Sequence, residues 1–357
     1  MADTERNRFQ GAPRQPAAPR PRPEGATSPQ PGADPGDQAV ARDIAEGIEL
    51  VQGIRVIRKI ADGGMGTVYL AEQLGTAGFS KTVAVKVIKR DWLRDKRALG
   101  LFIGEAKLVA DLVHDNICQV YSLSRYRGHL FIVMEYLHGL GLDRFLDAHY
   151  QAGYLPPFEY SAFLASRVCR GLAYAHTKRG RDGRPLGVVH RDVTPSNVML
   201  DFRGSVKLTD FGIALAVSNQ LLAGPGVVTG KLDYMSPEQA LAITVDGRSD
   251  IFSLALCLYE LLTGQPVYDA KDVQELRAQH KRKVRDPREI NAQLPEELAL
   301  ITMKALAYNP EDRFQTAKDL GNSLEYYMYR DKWGPTNEKL AEYLQRIFPD
   351  IDRDRIV

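Results

Sequence analysis

The sequence predicts an α+β fold in two segregated lobes, a small strand-rich one followed by a larger helical one. Three observations lead to it. Between Gly53 and Tyr136 most apolar runs alternate as strands do. Beyond Tyr136 the apolar positions recur at helical spacing, as at Ile251, Leu254, Leu258 and Leu261. At 357 residues the chain can bury a sizeable core, and no internal repeat is evident.

Taken in order, residues 1 to about 40 are rich in Pro, Ala, Gly and Arg, as in GAPRQPAAPRPRPEGA. Few large apolar side chains occur there, so burial cannot offset the entropy of ordering, and residues 1–50 are expected to be a disordered Pro/Arg-rich segment. Docking of this arm into an aromatic groove as polyproline is the alternative use. GIRVIRKIADGGMGTVYLAE, from Gly53, reads as strand, glycine turn, strand, and VAVKVI, Val83 to Ile88, as another strand. A helix is predicted from about Leu99 to Val113, then two strands ending at FIVMEY, which closes a strand-rich lobe over 51–136.

The helical lobe is predicted over 137–330. Tyr160, Phe163, Leu164, Val168 and Leu172 mark one helix; Ile251 to Leu261 and Leu298, Ile301 and Leu306 mark two more. A last stripe, Leu340, Tyr343, Leu344, Ile347 and Phe348, predicts a helical extension over 331–357. It packs back on the larger lobe or serves as a partner site.

Composition excludes several classes. The net charge of +2 gives no bulk reason to expect nucleic acid or an anionic membrane as partner. The three cysteines, Cys118, Cys169 and Cys257, lack metal-ligand spacing and read as reduced, buried thiols. IFSLALCLYELLTG is too short to span a bilayer and contains Glu260, and no secretory leader is visible. A soluble, cytoplasmic protein is therefore expected.

Three groups of residues carry chemistry. ADGGMGTV is a weak signal alone, but its glycines are followed by a strand and not by a helix, which argues for a hairpin flap over a nucleotide. Lys86 in VAVK gains weight from Glu105, which shares a helix face with Phe102, Val109 and Leu112. A carboxylate on that apolar face needs a partner, and Lys86 is the expected one. The acidic pieces are Asp192 in HRDVTPSN, Asn197 five residues on, and Asp210 in VKLTDFG eighteen residues on. Phosphoryl transfer needs positioning and neutralisation of spreading negative charge, which calls for an orienting base, metal-holding oxygens and cations. Asp192 would orient the incoming hydroxyl, and Asn197 and Asp210 would offer oxygens to Mg²⁺.

The order glycine loop, VAVK, Glu-bearing helix, HRDxxxxN, DFG, SPE resembles that of bacterial Hanks-type (eukaryotic-like) serine/threonine protein kinases, over roughly residues 53–325. The resemblance implies the bilobal protein kinase fold, ATP with Mg²⁺ (Mn²⁺ as an alternative), and serine or threonine acceptors on protein substrates. It carries the glycine-loop role to Ala61, Gly63, Gly64 and Gly66, with Ala61 standing where the family has its first glycine. It also implies that Val68 and Ala84 sandwich the adenine, that Met134 lies beside it, and that the backbone from Glu135 to Leu137 bonds its edge. Lys86 with Glu105 would hold the phosphates. Glu238 and Arg313 would pair to brace the activation segment, and Asp250 would hold the catalytic-loop backbone.

One departure stands out. The family usually places lysine two residues after the catalytic Asp, where this chain has Thr194, and Gly-Thr where this chain has Gly230-Lys231. One reading is a weakened enzyme or an ATP-binding pseudokinase scaffold. The other is an exchange between touching positions, in which Lys231 supplies the phosphate contact and Thr194 the hydroxyl. Arg191 is expected to receive an activation-loop phosphate, for which Thr229 and Ser218 are the candidate acceptors. The arginine-bearing insertion KRGRDGRPLG, before HRD, reads as a solvated turn.

Overall fold

The computed structural model describes residues 49–50, 53–63, 66–89, 96–126, 128–211, 232–330 and 334–349; the side chains at 49, 50, 96–98, 101, 102 and 105 lie outside that description. Six antiparallel strands form the sheet of the smaller lobe: β1 (Glu49–Leu50), β2 (Ile54–Asp62), β3 (Gly66–Leu74), β4 (Ser80–Ile88), β5 (Val120–Tyr126) and β6 (His129–Glu135). Their order is β1-β2-β3-β4-β6-β5. The strand β1 corrects the expectation of disorder through residue 50. Gly53 takes φ 70°, which turns the chain back on itself so that Glu49 pairs with Arg55 and Leu50 with Ile54.

The register of β3 on β4 is unbroken from Gly66 opposite Ile88 to Leu74 opposite Ser80. Because side chains alternate across a strand, that register sorts the sheet into two faces. Tyr69, Ala71, Val83, Val85, Val87, Phe131 and Val133 close one core, together with Ile54 and Val56. On the opposite face lie Val68, Ala84, Lys86, Ile132 and Met134. The helix α1 (Lys96–Ala110) stands beside β5. It begins and ends a few residues before the predicted span, and at its end the Leu112 N–H turns back to the Val109 carbonyl.

The larger lobe is built on α3 (Phe158–Thr177) and α5 (Gly247–Thr263), with α2 (Leu142–Ala152) ahead of them and α4 (Pro237–Ala240), α6 (Val273–His280), α7 (Glu296–Ala305), α8 (Ala317–Tyr329) and α9 (Asn337–Ile347) around or after them. A small sheet, β7 (Gly139–Gly141), β8 (Val198–Asp201) and β9 (Val206–Leu208), lies at its upper edge. Every residue of α5 from Ser249 to Thr263 is buried. Glu260 sits among them because two phenols satisfy it: Tyr234 Oη donates at 2.5 Å and Tyr150 Oη at 3.2 Å.

The C-terminal stripe is covered by its own lobe. Leu340, Tyr343 and Leu344 are buried, Tyr343 stacks on Tyr160 at 4.5 Å between ring centroids, and its hydroxyl lies 2.8 Å from His149 Nε2. Ile347 and Phe348 are partly buried against the same core, so the stripe packs back on the larger lobe. The three cysteines are buried thiols. Among the described residues no helix is long and apolar enough to cross a membrane.

Candidate active site

The glycine hairpin joins β2 to β3. Gly66 is dictated by space: a Cβ there would fall 2.3 Å from the Val87 carbonyl oxygen on β4. Gly63 closes the turn by donating its N–H to the Gly66 carbonyl at 2.9 Å, and a Cβ on it would make ordinary contact. Ala61 sits in β2 opposite Val68 and does not take positive φ, so its replacement of a glycine costs nothing in backbone strain. Gly64 lies outside the described residues.

Beneath the hairpin, Val68, Ala84, Lys86 and Met134 share the sheet face turned away from the small lobe's own core. Ala84 is buried opposite Met134. The segment leaving β6 is pinned through Glu135. Its N–H donates to the Gln119 carbonyl at 2.8 Å, and its carboxylate accepts from the Gln119 N–H at 3.2 Å and from Lys207 Nζ at 2.9 Å. Leu137 makes no backbone–backbone hydrogen bond among the described residues.

Lys86 is buried to 7% exposure, so its ammonium needs a counter-charge. Among the described residues Asp210 supplies one, its Oδ1 2.6 Å away. The expected Lys86–Glu105 pair is left untested, because the Glu105 side chain lies outside the described residues. Asp210 adopts φ 54° in the loop after β9, a conformation costly for a residue with a Cβ. The next residue, Phe211, is buried with its ring 4.5 Å from that of His190, which anchors the turn.

The loop before β8 carries the remaining groups. Asn197 Nδ2 donates to the Asp192 carbonyl at 2.7 Å and to Asp192 Oδ2 at 2.9 Å. With its amide nitrogen so committed, Asn197 keeps its side-chain oxygen as an acceptor. Two oxygen donors, Asn197 and Asp210, fit a hard, oxygen-preferring cation such as Mg²⁺. Asp250, fully buried at the start of α5, accepts the His190 N–H and the Arg191 N–H at 2.7 Å each and the His176 ring at 2.8 Å. Arg191 stands at φ 65°, strain of about 1–3 kcal/mol that only such a grip sustains. Burial pushes the pKa of His190 down, against the pull of Asp250 and Asp192, so its imidazole stays neutral beside Phe211 and bonded to the Thr209 carbonyl.

Thr194 is buried, with its hydroxyl 3.1 Å from that of Ser196. Lys231, Thr229 and Ser218 lie outside the described residues. Past them, Arg313 makes a two-pronged pair with Glu238 at 2.7 and 3.0 Å, both side chains buried. Burial raises the Glu238 pKa, but hydrogen bonds from Arg313 and Ser249 outweigh it and leave the carboxyl below its ordinary value. Two participants escaped the sequence reading, Lys207 and Gln239. The signal for Gln239 was a capping-box spacing, Ser236 to Gln239, at the start of α4.

Comparisons with known proteins agree with this geometry. The family model described as the protein kinase domain matches residues 54–323. The chain is 38% identical over 305 residues to the tyrosine-protein kinase MasK of Myxococcus xanthus, covering 84% of this chain and 47% of that protein. It is 33% identical over 267 residues to the serine/threonine-protein kinase PrkC of Bacillus subtilis, covering 74% and 39%. Against the serine/threonine-protein kinase PknB of Mycobacterium tuberculosis the identity is 37% over 267 residues, covering 72% and 40%. The chain thus spans less than half the length of these relatives. Among solved structures, the Mycobacterium tuberculosis PknI kinase domain matches with a TM-score of 0.62 at 26% identity, covering 79% of this chain and 98% of that one.

Proposed function

The chain belongs to the protein kinase family, and from that membership we propose that it transfers the terminal phosphoryl group of ATP to serine or threonine hydroxyls of protein substrates. The observation that carries the reading is the Lys86–Asp210 pair, which brings a strand cation of one lobe to a carboxylate of the other, beside a locked Asp192–Asn197 pair.

Each residue has a part that follows from its placement. The apolar face of Val68, Ala84 and Met134 takes the adenine, and the backbone between Glu135 and Leu137 bonds its edge. Lys86 meets phosphate oxygens with a positive charge held where the sheet fixes it. Asn197 and Asp210 would hold Mg²⁺, which would neutralise charge on the phosphates. Asp192, its carboxylate oriented by Asn197, receives the hydroxyl of the acceptor and takes up its proton as the new phosphorus–oxygen bond forms and the bond from the terminal phosphorus to the bridging oxygen breaks, ADP leaving with that oxygen. Lys231 supplies the cation that Thr194 does not. Because both candidate metal-holding residues are present, the site supports a transferring enzyme over a scaffold that only binds nucleotide.

A tyrosine acceptor is the second reading, favoured by the similarity to MasK. Against it, Val193-Thr194 stands where tyrosine kinases usually carry an alanine-arginine pattern after the catalytic Asp, and GKLDY has no proline ahead of MSPE. The deciding experiment incubates the protein with γ-labelled ATP, Mg²⁺ and a basic protein acceptor, followed by phosphoamino-acid analysis. Label on serine or threonine that disappears in Asp192→Asn supports the proposal. Label on tyrosine alone replaces the acceptor class, and no label in the parent protein removes the activity.

A further inference from the structure

The catalytic loop is gripped from a second direction. Gln239 Nε2 donates to the carbonyl oxygen of Arg191 at 2.7 Å, across 48 residues of sequence. Gln239 is itself buried at 8% exposure, and its amide has no freedom to turn over. Its Oε1 already accepts the Ser236 N–H at 3.1 Å and the Ser236 hydroxyl at 3.0 Å in the capping box of α4. An oxygen committed to the cap fixes the nitrogen toward the loop.

The bond it makes falls on one particular peptide plane. The carbonyl of Arg191 and the N–H of Asp192 belong to the same amide, and that amide is rigid. The N–H end donates to His190 Nδ1 at 3.2 Å, while the carbonyl end receives Gln239. Asp250 fixes the preceding amides by accepting the His190 and Arg191 N–H groups, but neither contact stops the 191–192 plane from rotating about its flanking bonds. Rotation of that plane swings the Cα of Asp192, and with it the carboxylate. Arg191 already holds positive φ, so the plane has a lower-energy orientation to relax into once a restraint is lost.

We infer that Gln239 is a positioning residue for Asp192: through the Arg191 carbonyl it orients the catalytic carboxylate, and it ties that orientation to the folding of α4. The capping box builds the helix and aims the amide together. A chain whose segment around Ser236 and Gln239 is not folded therefore lacks the Gln239 restraint on the Arg191–Asp192 amide. The inference rests on the proposed phosphotransfer for its kinetic readout but not for its structural one.

Gln239→Glu separates the two jobs of this side chain. Glutamate serves a capping box as well as glutamine does, so α4 is kept, but a carboxylate oxygen then faces the Arg191 carbonyl where a donor stood. Expected are a fall in kcat on the order of 10- to 100-fold, the scale of a misplaced catalytic group, and a KM for ATP within about twofold of the parent. The deficit narrows as pH falls, because the protonated acid regains an O–H to donate. Amide hydrogen exchange gives the second measure: faster exchange at Asp192, with Ala240 in α4 unchanged. Gln239→Met, which keeps the volume and removes the donor, shows the same kinetic defect without the pH rescue.

Turnover within about twofold of the parent in both variants, or Asp192 exchange unchanged in both, overturns the inference. So does a Gln239→Glu defect that moves with melting temperature and ignores pH. If the parent protein transfers no phosphate, the proposed function fails, and the exchange measurement alone decides whether Gln239 orders the Asp192 amide.

Discussion

Lys86 Nζ and Asp210 Oδ1 lie 2.6 Å apart, joining β4 of the small lobe to the loop after β9 of the large one. The ammonium is buried while the carboxylate is 40% exposed, so the pair has one dry end and one end open to the cleft. In the proposed reaction that open end is where a nucleotide phosphate would meet the Lys86 ammonium and where Asp210 would offer its oxygen to Mg²⁺.

Lys86→Met removes that fixed charge. We expect turnover to fall on the order of 10²–10³-fold, the cost of losing one preorganised group at developing charge, with a raised KM for ATP. The fold should survive, because methionine fills the stem's apolar volume. Steady-state kinetics beside circular dichroism checks both halves, and turnover near the parent value would refute the assignment.

Lys231 tests the relocated cation. Lys231→Ala and Lys231→Met are both expected to lower kcat on the order of 10²–10³-fold, whereas a solvated lysine would leave both near normal. Single-turnover phosphotransfer at saturating ATP reads the effect directly.

The two glycines of the hairpin should differ. In Gly66→Ala the new Cβ meets the Val87 carbonyl oxygen at 2.3 Å, which forces β3 and β4 apart. In Gly63→Ala the nearest atom is 3.5 Å away, an ordinary contact. Nucleotide affinity by titration calorimetry should drop in the first and stay close to the parent in the second. Equal losses would show that the hairpin's strand spacing is not what the nucleotide reads.

Arg313 and Glu238 supply a stability test. Breaking a buried charge pair by removing one partner costs about 3–5 kcal/mol, so Glu238→Gln should lower the urea midpoint strongly. Because the folded state holds the Glu238 carboxyl below its ordinary value, the pair's contribution is complete above that ordinary value. It is lost as pH falls through the folded one. Acid unfolding of the parent should therefore be steeper than that of Glu238→Gln. Parallel acid curves would contradict the pairing.

His149 provides a separate pH signature at the α2–α9 contact. Burial pushes its pKa from 6.5 down to about 4, although the Phe145 carbonyl bond pulls the other way. The unfolded chain then takes up a proton that the folded chain refuses, so stability is complete above 6.5 and declines as pH drops toward about 4. Each unit of such a shift is worth ~1.4 kcal/mol. In His149→Gln, which can still reach the Tyr343 hydroxyl, melting temperature should fall less steeply over that range. Matching slopes would remove His149 from the account.

The elements and the chemical groups were legible because each is a local string. The strand alternation of VAVKVI needs no distant partner to be recognised, and neither does the helical spacing from Ile251. The fault at residue 50 had a physical cause: β1 is two residues long and exists only because Gly53 turns it onto β2. Composition could not register so short a strand beside a Pro-rich arm. The C-terminal stripe announced an amphipathic helix but not what covers it, since the covering groups, His149 and Tyr160, stand far upstream.

By itself the sequence determined which residues can do chemistry here, because Lys, Asp, Asn and Gly carry their reactivity and backbone freedom wherever they stand. What the tertiary structure alone decided was partnership. Lys86 is seen to meet Asp210, Glu135 is held by Lys207, and Gln239 is aimed at the Arg191 carbonyl. Each choice joins segments tens of residues apart, and burial makes it: once water is excluded, an ammonium, a carboxylate or an amide must take the complementary group that packing brings within reach.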